Sequence, residues 1–569
     1  MLSENLLDIY ATQFRENWEL PAVSNYASPN VLTYADLSRK IAMLHIFFEE
    51  CGVKRGDKIA LMDRSSADWV LIYMATITYG AIIVPVLSEF NSSDATHIIN
   101  HSDSILLFVG RHIHEQLDFD NFSKLKAVIS TDGSEVLDEH PKFSQKATRA
   151  LANLHKLFKR RYPHGFSSSD VKYPSLPPDS VAEINYTSGT TGFSKGVMLT
   201  LNNLCGNVVF GIRAQLYYRG SRSLSFLPLA HAYGCAFNML VPLAQGTHVV
   251  VFDKTPTPKL LVKALSTVKP ATVITVPLIL EKIYRKQILP KISTPSMRRL
   301  LAIPLLNKSI YAKIRRSIME AFGGEMAELI VGGAPLNKEV EKFMLKIKIP
   351  LTVGYGMTEC GPLISYTPYQ EYIEGSAGRT LYGLMQSKTM LPDGESAASE
   401  PMATVTGGVE LPLGEICVKG ENVMKGYYKN PEATAAAIDS EGWLHTGDMG
   451  CVAPDGTIFI KGRYKTMILG ASGQNIYPEE IEAKLNNMPF VSESLIVERG
   501  PKLVALVYPD YEAMDKANVT STMLPQIMEE VTRELNSNLA PYEQISHIQL
   551  IPNEFEKTPK RSIKRFLYK

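Results

Sequence analysis

Short apolar runs rich in β-branched residues recur along most of the chain: KIALM (58–62), AIIVPV (81–86), SILLFVG (104–110), KAVIST (126–131), HVVVF (248–252), TVITV (272–276) and ELIVGG (328–333). They are continuous rather than alternating, which predicts strands buried on both faces. Because stretches of helical spacing separate them, they predict doubly wound α/β layers with parallel sheets. From about Gly407 the texture changes to short strands with Gly and Asn turns, GEICVKG, GTIFIKGR, SLIVERG and KLVALVYP. This predicts a smaller α+β domain closing the chain, with its boundary near Arg463–Lys465: domains over 1–464 and 465–569.

Three stretches depart from that rhythm. WVLIYMATITYGAIIVPVL (69–87) has no charge over 19 residues, close to the length a bilayer needs. Its interior Gly80 and Pro85, and the switch from helical spacing to IIVPV, read instead as a buried helix feeding a buried strand. MQSKTMLPDGESAASEPMATVTGGV (385–409) is polar, aperiodic and rich in Pro, Gly and Ser, which predicts a surface loop. QKATRALANLHKLFKRR (145–161) sets Ala150, Leu151, Leu154, Leu157 and Phe158 at helical spacing beside a basic face. It reads as a solvated surface helix, or as a membrane-surface contact.

Composition narrows the class. Lys and Arg total 59 against 58 for Asp and Glu, and 45% of the 569 residues are hydrophobic. That balance predicts neither disorder nor a nucleic-acid partner, and the length predicts several domains. The six cysteines are scattered without a CxxC pair, which predicts reduced thiols. The opening MLSENLLDIYATQF lacks a basic n-region and an apolar h-region. The expected location is cytoplasmic.

The chemistry concentrates in YTSGTTGFSKGV (186–197). Glycines allow backbone N–H groups to converge, hydroxyls donate to phosphate oxygens and Lys195 adds charge, so such a loop suits a nucleotide's phosphates. It is not a Walker loop, since Lys195 stands between Ser194 and Gly196 rather than in a Gly-Lys-Ser/Thr run. A structural turn is the alternative for the string in isolation. The string resembles the phosphate loop of the adenylate-forming superfamily of acyl-activating enzymes. LPLAHAYG (227–234), VGGAPL (331–336), GYGMTE (354–359), GWLHTGDMG (442–450), IKGRYKT (460–466) and GQNIYPEEIE (473–482) follow in the superfamily's order, and LTYADL (32–37) and YGAIIVPV (79–86) precede it. SFLPLAHAYG, GPLISYTPYQ, EGSAGR and KTMILGASGQN are most similar to long-chain fatty acyl-CoA synthetases.

The resemblance implies a large N-terminal domain, a mobile C-terminal lid turning at Lys465, and ATP, Mg²⁺ and coenzyme A as partners of a fatty acid. It implies roles residue by residue. Thr187, Ser188, Gly189, Thr190, Thr191 and Lys195 match the loop around the β and γ phosphates. Tyr355 and Gly356 match the adenine-stacking segment, Thr358 the contact to the α-phosphate, and Glu359 the Mg²⁺ ligand. Gly332, Gly333 and Ala334 match the segment beside adenine and the acyl carbonyl, and His231 and Tyr233 the acyl entrance. Asp448 matches the carboxylate that accepts the ribose hydroxyls, a task suited to a two-oxygen acceptor; Arg463 matches a residue reaching ribose or phosphate.

The tail departs from the pattern. The superfamily's C-terminal motif, Thr-Pro-Thr-Gly-Lys, ends in a lysine that serves adenylation, whereas EKTPKRSIKRFLYK aligns Ser562 with that lysine. Lys560 and Lys564 flank it, and Lys560 is the expected substitute; a solvated or lipid-contacting basic tail is the alternative. The implied activity is ATP-dependent ligation of a fatty acid to coenzyme A. The competing readings are an acyl-AMP ligase serving a carrier protein and a catalytically weakened regulatory binder.

Overall fold

In the computed structural model, which describes residues 2–187, 195–255, 257–391, 402–469, 475–500, 502–558 and 563–568, the apolar stretch after Trp69 divides where its glycine and proline imply. Helix α1 spans Tyr34–Glu50 and α2 spans Ala67–Tyr79. Ser66 caps α2 by accepting the Trp69 amide at 3.1 Å, and Gly80, at φ 90°, ends it in the left-handed region that glycine enters without a Cβ clash. The chain then runs directly into a buried strand over Ile82–Val86. Among the described residues no helix is long and apolar enough to cross a membrane.

Contacts divide the chain into two units. The first comprises Met1–Thr187, Ser194–Gln386 and Val418–Leu444; the second comprises Ser188–Phe193, Ser387–Cys417 and His445–Lys569. The first is built on strands β1 (Lys58–Met62), β2 (Ile82–Val86), β3 (Ser104–Val109), β4 (Ala127–Ser130), β5 (Val136–Glu139), β6 (Val181–Thr187), β7 (Lys195–Thr200) and β8 (Gly426–Tyr427). Among the described residues they form one sheet in the order β8-β7-β6-β2-β1-β3-β4-β5. Pairing is parallel from β6 through β4 and antiparallel at both ends. Ile59, Leu61, Ile83, Val84, Leu106, Leu107 and Val109 have no exposed surface, each contributing about 1.5–3 kcal/mol of burial. The runs at 248, 272 and 328 are likewise strands, His248–Val251, Thr272–Thr275 and Glu328–Val331.

Helix α3 (Lys146–Arg161) buries Ala147, Ala150 and Leu154 and packs against α1. Its Phe158 joins Tyr162 and Phe166 in a ring cluster. The apolar stripe of the basic segment is therefore used inside the protein, while Lys146, Arg149, Lys156, Lys159 and Arg160 stay exposed. Helix α4 (Leu201–Arg213) follows β7, capped by Thr200 on the Asn203 amide.

The second unit contains the strands Leu444–Val452 and Ile458–Arg463, paired antiparallel beside Gly414–Gly420. Part of the expected 385–409 loop is strand instead: Met385–Met390 extends this sheet, and Met402–Thr404 pairs with Glu410–Pro412. Ladder bonds come from the backbone, so a polar edge strand leaves no hydrophobic signature.

Further on, Val491–Arg499, Lys502–Pro509 and Ile545–Leu550 form a three-stranded sheet with helices α5 (Pro478–Leu485) and α6 (Leu524–Ser537). One cluster packs Ile481, Leu485 and Leu535 with Ile496 and Val507. A separate cluster takes Leu495, Val497, Val504 and Leu506 with Phe555, Ile563 and Tyr568. The described C-terminal residues are thus not a loose basic tail; they cover an apolar sheet surface.

Candidate functional site

The hydroxyl-rich loop closes the hairpin of β6 and β7. Thr187 and Lys195 face each other across its base, and the Thr187 hydroxyl donates to the Lys195 carbonyl at 3.5 Å. Ser188, Gly189, Thr190 and Thr191 lie outside the described residues. At Gly196 a Cβ would meet Ile184 Cγ2 at 2.9 Å and Tyr186 Cζ at 3.0 Å, so glycine lets the hairpin close here. Lys195 then extends over β8: its Nζ lies 4.9 Å from the ring centroid of Tyr427, within cation–π range.

The same Tyr427 ties Lys195 to GYGMTE. Its hydroxyl donates to Glu359 Oε1 at 2.8 Å. Burial and the Glu359 carboxylate push the phenol upward, so Tyr427 stays protonated and remains the donor. Glu359 sits in a single 3₁₀ turn, Thr358–Cys360, that buried amides hold in place. Asn207, fully buried on α4, donates from Nδ2 to the Cys360 carbonyl at 3.2 Å and accepts the Leu363 amide at 2.9 Å. Asn422 donates to the Leu363 carbonyl at 2.7 Å, and the Met424 amide to the Glu359 carbonyl at 2.8 Å. Asn203 donates to the carbonyls of Glu421 and Val423 at 2.7 and 2.8 Å. At Gly356 a Cβ would stand 2.2 Å from the Pro362 carbonyl oxygen. Tyr355 is buried beside it, whereas Thr358 and Glu359 are half-buried.

A third group gathers at the end of the strand Glu328–Val331. The Gly332 amide donates to the Thr275 carbonyl at 3.1 Å, and a Cβ on Gly332 would lie 2.9 Å from Tyr233 Cζ. The Tyr233 hydroxyl points at the carbonyls of Thr275 and Ile330, at 3.4 Å each. Gly333, at φ 85°, and Ala334 are exposed. His231 precedes the short helix Ala232–Cys235, with its own amide donating to the Pro228 carbonyl at 3.1 Å.

In the second unit Asp448 and Arg463 are register partners, and Arg463 Nε meets Asp448 Oδ1 at 2.9 Å. Asp448 is buried while the guanidinium is largely exposed. Lys465 is exposed in the 3₁₀ turn Tyr464–Thr466. Of the tail cations, Lys557 pairs with Glu493 at 2.7 Å, Lys564 with Glu556 at 3.5 Å, and Arg565 with buried Glu482. Lys557 and Ile563 bridge as antiparallel partners. Lys560 and Ser562 lie outside the described residues.

The profile of the AMP-binding enzyme family matches residues 11–428. The chain belongs to that family. Among curated proteins it is similar to the long-chain-fatty-acid–CoA ligase FadD15 of Mycobacterium bovis, 25% identical across 94% of this chain and 90% of that protein. It is also similar to the 4-coumarate–CoA ligase CCL1 of Humulus lupulus, 28% identical across 85% of this chain and 80% of that protein. The ATP-bound structure of MatB from Rhodopseudomonas palustris shares the fold, with a TM-score of 0.74 at 22% identity over 99% of this chain and 98% of that one. The mixed α/β architecture with a large N-terminal part and a smaller C-terminal part is that of the adenylate-forming enzymes.

Two residues of this AMP-binding chain escaped the reading of its sequence. Tyr427 stands in KGYYKN, a string without a distinguishing pattern. Asn207 had a signal: Asn203 and Asn207 recur four apart in an otherwise apolar helix, and buried amides at that spacing need partners.

Proposed function

We propose that this chain is an ATP-dependent ligase that activates a long-chain fatty acid as its acyl-adenylate and passes the acyl group to coenzyme A, releasing pyrophosphate and AMP. The convergence of Lys195 and Glu359 on Tyr427, at 4.9 and 2.8 Å, carries the reading. A cation at the end of a hydroxyl-rich loop and a carboxylate from a different strand end meet at one phenol, a pairing suited to phosphates and their metal.

Glu359 Oε1 is engaged by Tyr427 in a half-buried residue, and a carboxylate so held fits a hard cation such as Mg²⁺. Bound with the nucleotide, Mg²⁺ supplies neutralisation of phosphate charge. Lys195, with Thr187, Ser188, Gly189, Thr190 and Thr191, stabilises charge gathering on the departing pyrophosphate while the carboxylate attacks the α-phosphorus. Tyr355, Gly356, Gly333 and Ala334 line adenine, Thr358 meets the α-phosphate, and Asp448 with Arg463 takes the ribose. His231, Tyr233 and Gly332 border the acyl group. Lys465 is the hinge between the domains 1–464 and 465–569, and its exposure supports free rotation there.

The similarity to FadD15 supports the long-chain acid, and the similarity to a 4-coumarate ligase marks an aromatic acid as the substrate to test beside it. The exposed cations of α3 support a cytoplasmic enzyme working at the inner face of a membrane. Ser562, where the superfamily has lysine, favours a second reading, a nucleotide and acyl binder with weak turnover. Incubation with ATP, Mg²⁺ and palmitate, with and without coenzyme A, decides. The expected result is pyrophosphate and AMP with palmitoyl-CoA. Acyl-AMP that coenzyme A does not consume supports a carrier-protein acceptor, and binding without pyrophosphate supports the second reading.

A further inference from the structure

Just upstream of Asp448, three side chains of different chemistry converge within the second unit. Glu415 and Cys417 stand two apart on the strand Gly414–Gly420 and so share one face of it, and His445 enters from the neighbouring strand Leu444–Val452. Their ligand atoms all lie within 4.8 Å of one another. His445 Nδ1 is 2.8 Å from Glu415 Oε2 and 3.5 Å from Cys417 Sγ. We propose that Glu415, Cys417 and His445 form a binding site for one Zn²⁺-class divalent cation, a site separate from Glu359 and independent of the reading of the enzyme's substrate.

The donor set carries the assignment. Thiolate, imidazole and carboxylate are the ligands that a borderline-soft, tetrahedral cation takes, and Mg²⁺ does not take the first of them. With Zn–S and Zn–N bonds of usual length, a tetrahedral S···N edge is about 3.6 Å, and the observed edge is 3.5 Å. The N···O edge, 2.8 Å as a hydrogen bond, opens by about 0.5 Å when a metal replaces the proton. The soft χ3 torsion of glutamate allows this.

The carboxylate is already oriented for the task. Glu415 Oε1 accepts the Gly447 amide at 2.9 Å, leaving Oε2 turned to His445. Glu415 and His445 are half-buried and Cys417 is buried, so a cation enters from the carboxylate and imidazole side and keeps water as its fourth ligand.

Binding releases one proton to solvent. The Cys417 thiol gives up its proton and forms the S–metal bond, the neutral imidazole shifts its one proton from Nδ1 to Nε2 through solvent as Nδ1 binds, and Glu415 binds as carboxylate. Affinity therefore rises with pH. The site also has a local readout, because Glu415 holds the Gly447 amide immediately before Asp448. Occupancy re-sets the turn that carries that carboxylate.

Chelator-treated full-length protein titrated with Co²⁺, then with Zn²⁺ in competition, tests the site. The expected result is one Co²⁺ per chain with a thiolate-to-cobalt charge-transfer band, its displacement by Zn²⁺, and release of one proton per metal in weak buffer. Cys417→Ser should abolish the band and weaken Zn²⁺ roughly a hundredfold or more, beyond the loss usual for an orienting group alone. Glu415→Gln should weaken it by a smaller factor, and Cys451→Ser should leave the band unchanged. A wild-type protein without the band overturns the proposal whatever the variants do, and so does a band that survives in folded Cys417→Ser.

Discussion

The turn around Glu359 and the C-terminal segment Ile563–Tyr568 are both irregular, and the sequence assigned both neighbourhoods to nucleotide chemistry, yet they are anchored by different physics. The first hangs on neutral amides: buried Asn207, Asn422 and Asn203 saturate the surrounding backbone carbonyls and amides. The second hangs on ion pairs, Lys557 with Glu493, Lys564 with Glu556 and Arg565 with Glu482, over a small apolar patch. Neutral amide bonds in an apolar surrounding are directional and indifferent to salt and pH, whereas ion pairs respond to pH and, where partly exposed as at Lys564–Glu556, are weak and screened. The first kind of anchor suits a carboxylate that is proposed to face a metal.

The largest effect expected from breaking this contrast is at Asn207. Asn207→Leu fills the same volume but orphans the Cys360 carbonyl and the Leu363 amide, at about 1–3 kcal/mol each. Urea unfolding should therefore show a loss of roughly 2–5 kcal/mol that is the same at low and high salt. A loss below about 1 kcal/mol would show that the turn is held elsewhere.

Arg565→Met comes next, and its effect should depend on pH. Burial raises the Glu482 carboxyl from its ordinary 4.5 to about 7, with Arg565 opposing the shift. The folded protein therefore holds an extra proton between those values, and the stability this group contributes, complete below about pH 4.5, is lost as pH rises through about 7. Removing Arg565 leaves a buried carboxylate that a proton neutralises in acid but not in alkali. The destabilisation should be about 1–3 kcal/mol at pH 8 and smaller at pH 5, and Glu482→Gln should remove the difference between the two pH values. A loss that is equal at both would contradict the assignment of Glu482 as the titrating group. The smallest effect belongs to Lys564→Ala, whose partly exposed pair with Glu556 should contribute under about 1 kcal/mol and vanish at high salt.

Much of the fold was legible because buried parallel strands write themselves as continuous apolar runs, and each run beginning at 58, 81, 104, 126, 248, 272 and 328 contains a strand. The division of 69–87 was legible from Gly80 and Pro85. The polar edge strand Met385–Met390 was not, since its bonds come from backbone that any side chain accompanies. Of the candidate site, Lys195 and Glu359 stand out in their strings, whereas Tyr427, which contacts both, depends on β8 pairing with β7 across more than two hundred residues of sequence. The covering of the sheet by Phe555, Ile563 and Tyr568 was hidden by the surrounding lysines and arginines, which suggest only a catalytic lysine or a solvated tail.

In the proposed reaction Glu359, held by neutral amides and tied to Lys195 through Tyr427, is the charge on which adenylation depends. Palmitate-dependent exchange of labelled pyrophosphate into ATP, measured for Glu359→Gln beside the wild type, tests it most directly, since the exchange reads the first half-reaction without coenzyme A. Exchange should fall by roughly two to three powers of ten with an unchanged urea midpoint, because the amide partners that hold the turn are untouched. Exchange near the wild-type rate in the folded variant would contradict it.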